Sequence, residues 1–161
     1  VGEWGAVGRV TIDLSFMPIF MVVHEGVLTD REFKDYLRDV ERTLYGPDAK
    51  MRVLVQDART SGQVPAIQRK MQADWLKQHE ARLRDLTLGS AFVIDSALVR
   101  GLLTAILWLQ PLPMPHEVCA TIEGALDWAD TKLKDRGLAV TPALRSAVLA
   151  KYGVRRASVG T

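Results

Sequence analysis

The stretch that most restricts the fold is Met51 to Gly62, Met-Arg-Val-Leu-Val-Gln-Asp-Ala-Arg-Thr-Ser-Gly. A β-branched run, Val53-Leu54-Val55, ends at Asp57 and meets turn-forming residues before a helix-like segment. A strand that is apolar for its whole length and releases polar groups only at its carboxyl end fits the interior of a parallel sheet. In open α/β sheets that end is where ligands and partners bind. The working residues are therefore expected just after Val55.

The rest of the chain supplies neighbours for that strand. Residues 1–9 read as an irregular arm, and Val10 to Leu14 alternates apolar and polar as a half-buried strand does. Ile19 to Val23 reads as a second strand, with a turn at His24-Glu25-Gly26. Thr29-Asp30-Arg31-Glu32 fits a capping box, in which Glu32 would reach back to the Thr29 N–H. Phe33, Leu37, Val40 and Leu44 follow at helical spacing, and Gly46-Pro47 stops the helix. After a loop at Asp57 to Gly62, one long helix is expected from Pro65 to Leu86, with Ile67, Met71, Trp75, His79, Leu83 and Leu86 as its apolar stripe and Gly89 as its end. Ala91 to Ile94 reads as a strand, and Ala97 to Leu109 as a helix apolar almost all round, expected to be the most buried. The prolines at 111, 113 and 115 enforce an extended connection. His116 to Ile122 reads as a last strand, followed by a helix ending at Gly137 and a second that starts at Thr141-Pro142 and ends at Gly153. The expected architecture is α/β: one domain with a mostly parallel or mixed sheet of about five strands flanked by helices. Its core spans residues 10–137, with a C-terminal helix over 138–153 and a disordered tail over 154–161.

Composition removes several functions. A formal net charge of +2 is too small for a surface built to neutralise nucleic-acid phosphates. Cys119 is the single cysteine, so no internal disulfide exists, and a reducing, cytoplasmic setting is expected. The apolar runs are far short of the roughly 20 residues that span a membrane, and the amino end lacks a signal-peptide pattern. His24, His79 and His116 lie far apart with no second ligand at metal spacing, so neither a metal nor a cofactor is expected. There is no Gly-x-Ser-x-Gly elbow, and Gly5 and Gly8 precede a strand where a dinucleotide fingerprint would follow one.

Three phrases give the chain a family likeness: His24-Glu25-Gly26-Val27-Leu28-Thr29, Val53-Leu54-Val55-Gln56-Asp57, and Glu123-Gly124-Ala125-Leu126-Asp127-Trp128. With the element order, they make it resemble the SpoIIAA-like family, near the STAS (sulfate transporter and anti-sigma factor antagonist) domains, over Val10 to Leu133. The resemblance implies a non-enzymatic α/β module that binds a protein or a small molecule. Anti-sigma factor antagonists are switched at a serine in an Asp-Ser pair at a helix start after the central strand. Here that place holds Asp57-Ala58-Arg59-Thr60-Ser61-Gly62, with no Asp directly before Ser61. An Asp-Ser pair occurs one strand later, at Asp95-Ser96, and the phosphorylation role is not carried over to it.

If the inner strands are parallel, His24, Glu25, Asp57, Arg59, Thr60, Ser61, Asp95, Ser96 and Arg100 gather at one rim. They would form an anion-holding pocket or docking edge, or simply cap helices and pair with one another. Arg100 must find a partner or snorkel out of its apolar helix. Trp75, on a helix long for the sheet it covers, would be core or part of a lid over a ligand or a dimer surface. Arg155-Arg156-Ala157-Ser158 looks like a basophilic kinase acceptor. The leading expectation is a regulatory module without catalysis, acting on a protein partner through Asp57, Arg59, Ser61, Ser96 and Arg100. A carrier of a small anionic or lipid-like ligand beneath the 65–86 helix is the alternative, and a hydrolase-type enzyme at the same rim is the third.

Overall fold

The strands of the sheet lie side by side in the order in which the chain makes them. The computed structural model describes residues 8–154; most of the arm read over 1–9, most of the tail read over 154–161 and the Arg155 to Ser158 phrase lie outside them, while Arg9 of that arm opens the first strand. The strands are β1 (Arg9–Asp13), β2 (Ile19–Gly26), β3 (Arg52–Ser61), β4 (Thr87–Val93) and β5 (His116–Cys119), in the order β1-β2-β3-β4-β5. β1 runs antiparallel to β2, and every later pairing is parallel. The architecture is α/β, with one mixed sheet between helices.

This order decides where the helices go. Parallel crossovers are right-handed, so a sheet that adds strands in one direction receives every crossover on one face. α1 (Asp30–Tyr45), α2 (Ala66–Gln78), α3 (Glu80–Leu86) and α4 (Ala97–Leu109) lie there. The helices after the last strand, α5 (Ile122–Lys134) and α6 (Pro142–Tyr152), cover the other face. Strand alternation divides the side chains accordingly. Ile19, Met21, Val23, Val53, Val55, Ala91 and Val93 join the core under α5 and α6. A Cβ at Gly89 would stand 2.6 Å from the Trp128 ring, so glycine lets α5 lie close on β4.

Local chemistry explains most boundaries. Thr29 caps α1 by accepting from the Glu32 N–H, and the Thr29 hydroxyl donates to the Glu32 carboxylate at 2.9 Å, where a backbone bond was expected. Phe33, Leu37, Val40 and Leu44 are buried, each such side chain contributing about 1.5–3 kcal/mol. Gly46 ends α1; Thr121 and Thr141 cap α5 and α6.

Other expectations require correction. The loop expected over Asp57 to Gly62 is strand as far as Ser61, because β2 also extends through His24-Glu25-Gly26 and pairs with it. Asp57 and Ser61 therefore cap no helix; α2 begins after Pro65 without a side-chain cap. The single helix over 65–86 is two, broken at His79 (φ −107, ψ 14), where Tyr45 and Trp75 hold the imidazole and Leu83 N–H bonds the His79 carbonyl. Gly89 does not end that helix but lies within β4, and the expected strand at Ala91 to Ile94 runs from Thr87 to Val93. The last strand stops at Cys119, since Ile122 already belongs to α5. The largest difference concerns α4, expected to be the most buried helix. Only Val99 of it is buried; Leu98 and Leu109 are exposed and Trp108 is 84% exposed. As the crossover before a four-residue edge strand, α4 covers α2 and the sheet on one side and has no described element on its other.

Candidate functional site

The rim residues do not form one site. β2 and β3 are in register at Val23 and Asp57, but Glu25 pairs with Thr60, so β3 carries an extra residue beside His24. Such a bulge shifts the alternation of side chains. Before it, Leu54, Gln56 and Ala58 face the crossover helices; after it, Ser61 does. Asp57, Arg59 and Thr60 face the other way, beside Lys151 and Tyr152 of α6. Ser61 and His24 thus line one face of the sheet and Asp57 the other.

Asp57 and Arg59 are engaged with the fold itself. The Arg59 guanidinium donates from Nε to Asp57 Oδ1 and from Nη2 to Asp57 Oδ2, each at 2.9 Å, and Nη2 also donates to the Tyr152 carbonyl at 2.8 Å. The bond to Asp57 raises the Arg59 pKa against the opposing effect of burial. The pair ties the end of α6 to β3. Thr60 donates to the His24 carbonyl at 3.3 Å, Ser96 caps α4 through the Val99 N–H, and Glu25 pairs with Arg9 at 3.1 Å. Asp95 is exposed and acts on Arg59 through its charge. Arg100 is exposed, so it snorkels out rather than entering a site.

A different site lies on the face of the crossover helices. Between the sheet and α1, α2 and α4 is a partly open cavity of about 150 Å³. Leu54, Phe92, Ile94, Leu103, Ile106 and Leu112 supply much of its apolar wall, and Trp75 joins them from α2. Met71, of the same apolar stripe as Trp75, does not line it. Among the described residues, no Asp, Glu, Lys or Arg lines it either. Of the anionic or lipid-like ligand considered from sequence, such a lining offers the anionic kind no cation to pair with.

Its polar groups form a line. His24 Nε2 lies 3.1 Å from Gln56 Oε1, and Gln56 Nε2 donates to Ser90 Oγ at 3.0 Å. Because the Gln56 amide nitrogen is used on Ser90, its oxygen accepts, and the His24 proton sits on Nε2. The registers Val22–Gln56 and Leu54–Ser90 place the three residues diagonally across β2, β3 and β4. The Tyr36 ring packs edge-on against His24 at 5.7 Å.

Burial lowers the His24 pKa from its ordinary value, against smaller opposing effects of the Gln56 bond and the Asp57 charge. The folded state thus favours neutral imidazole, while the unfolded chain accepts a proton near pH 6.5. His24 therefore contributes stability above about pH 6.5 that is lost as pH falls toward the folded-state value. His24→Gln is expected to flatten the change in urea midpoint between about pH 7.5 and 5. An unchanged slope would remove His24 from this account.

No protein-family model matches this chain, and no curated protein matches it. Among the described residues, no helix is long and apolar enough to cross a membrane, and no cluster of metal-ligating side chains forms. The residues that sequence reasoning missed are Gln56, Ser90, Tyr36 and Gln72, all lining the cavity. Gln56 carried a signal: a polar residue in a central strand, at a position of the same parity as Leu54, must face an interior that can satisfy it.

Proposed function

We propose that this protein is a non-catalytic binding module that holds a small, mostly apolar molecule between its sheet and the helices α1, α2 and α4. The cavity of about 150 Å³ carries this reading. Protein interiors leave few voids larger than a water molecule. A cavity of about this size, lined by Leu, Ile and Phe, stays dry and takes a benzene-sized guest. A cytoplasmic setting belongs to the same proposal.

Toluene as a probe tests it. At about ten times its dissociation constant, a guest of the folded state adds about 1.4 kcal/mol, which is roughly 3–6 °C in melting temperature for a chain of this size. Ala58→Leu places a larger side chain in the cavity wall and is expected to remove that increment. No increment in the native protein would defeat the carrier reading.

The second reading is a regulatory docking module of SpoIIAA/STAS-like type. The mixed sheet with its antiparallel first strand accords with that fold. The exposed Leu98, Trp108 and Leu109 favour docking, with α4 rather than the arginine rim as the working face. An enzyme at the rim has less support, since Asp57 lies across the sheet from His24 and Ser61.

A further inference from the structure

The cavity combines two properties that narrow its guest. No charged side chain lines it among the described residues, yet six polar ones do: His24, Tyr36, Gln56, Ser61, Gln72 and Ser90. Part of their hydrogen-bonding capacity is unused. The Tyr36 hydroxyl and the Gln72 amide bond to no described residue. His24 uses only Nε2, and Ser90 accepts from Gln56 while keeping its own proton to give. The His24, Gln56 and Ser90 line lies on the sheet, with Tyr36 against His24, whereas the α4 side is aliphatic.

Resting on the carrier reading above, we infer that the natural guest is an amphipathic molecule with an apolar body and one uncharged hydrogen-bonding group, an alcohol, ketone or amide, rather than a carboxylate or a plain hydrocarbon. A carboxylate would be buried without a cation, which is costly. A plain hydrocarbon would leave the Trp75 indole N–H, buried on the cavity wall without a partner among the described residues, unbonded, and a site built to bond a hydroxyl discriminates strongly against the analogue that lacks it. Tyr36 and the Gln56–Ser90 pair are then the specificity-determining residues.

Toluene, benzyl alcohol and benzoate have nearly the same shape and differ in this one group. Calorimetric titration of the native protein at pH 8 is the test. An apolar cavity without partners would bind benzyl alcohol at least about fivefold weaker than toluene, since burying an unbonded hydroxyl costs about 1–3 kcal/mol in proteins. The expected result is benzyl alcohol within about fivefold of toluene or tighter, with benzoate at least about a hundredfold weaker than the alcohol. Tyr36→Phe, which removes no hydrogen bond to a described residue, should weaken benzyl alcohol by about three- to tenfold and leave toluene unchanged. Gln56→Leu should do the same more strongly. Toluene binding with an alcohol more than about fivefold weaker, or an alcohol indifferent to both substitutions, overturns the inference and leaves the carrier reading standing. Benzoate binding as well as the alcohol overturns the uncharged class. Binding of none of the three removes the carrier reading and the inference with it.

Discussion

Arg52→Met is expected to lower stability by about 3 kcal/mol and the melting temperature by roughly 10 °C. The guanidinium is 1% exposed, at the amino end of β3. It donates to the Lys50 carbonyl at 2.9 Å, to the Thr43 hydroxyl at 2.9 Å, to the Thr43 carbonyl at 2.7 Å and to the Asp48 carbonyl at 2.8 Å. Among the described residues, no carboxylate hydrogen-bonds to it. Its partners are chiefly backbone oxygens at and beyond the carboxyl end of α1, where the helix dipole favours a cation. Burial pulls its pKa down to about 10, against the attraction of Asp48 and with the repulsion of Arg82. The Phe20 ring, 5.0 Å from the guanidinium carbon, fills one side of the site.

Methionine matches the apolar stem but leaves these oxygens without a donor, and an unmade buried hydrogen bond costs more than a made one contributes. The measurement is the urea midpoint, with an unchanged slope marking a true stability change. A loss under about 0.5 kcal/mol, the range of ordinary surface substitutions, would mean that water satisfies these carbonyls and that Arg52 is not the staple between α1 and β3.

Asp13→Asn is the second large effect, expected at on the order of 3 kcal/mol at neutral pH. Asp13 is buried at the end of β1 and accepts hydrogen bonds from the Ser15 N–H and hydroxyl, the Tyr152 hydroxyl and Lys151 Nζ. Burial alone would raise its pKa, but the bonds from Lys151, Ser15 and Tyr152 outweigh it and hold the carboxyl well below the usual range. The Lys151 side chain is 51% exposed, so its share is discounted for screening and the Ser15 and Tyr152 bonds matter more. A depressed folded-state pKa means stability that is present above about pH 3.9, the value in an unfolded chain, and lost as pH falls below it. Chemical unfolding from pH 6 down to 2.5 should show that loss in the native protein and a smaller one in Asp13→Asn. Equal acid dependence in the two would rule out Asp13 as the latch that holds α6.

Much of the fold could be read in the sequence because its signals are local. Thr29 and Glu32, Thr141-Pro142 and Gly46 sit where the helix ends are, and a cap depends on residues only three or four positions apart. What could not be read depends on distant neighbours. Asp57 to Ser61 looks like a loop until β2 continues alongside it, and the bulge that turns Ser61 toward the cavity exists only in that pairing. The composition of α4 resembles that of a buried helix; its exposure follows from a position near the sheet edge that no periodicity encodes. The expected site suffered similarly. The end of β3 was identified, but alternation around a bulge sent Arg59 to one face and Ser61 to the other.

The serial order of the strands also bears on how the chain comes into being. A ribosome delivers the amino end first, and each of β2 to β5 can dock on the strand just before it without waiting for a distant partner. The crossover helices arrive between those strands, so their face is clothed as it grows. The opposite face must wait for α5 and α6, which emerge after every strand of the sheet. Until α5 is made, the surface of Val53, Val55 and Val93 stands bare to the cell, and until Tyr152 follows, Arg59 and Asp13 still lack the helix they hold. The half-made chain is therefore most vulnerable to aggregation on the face that is densest in the finished protein.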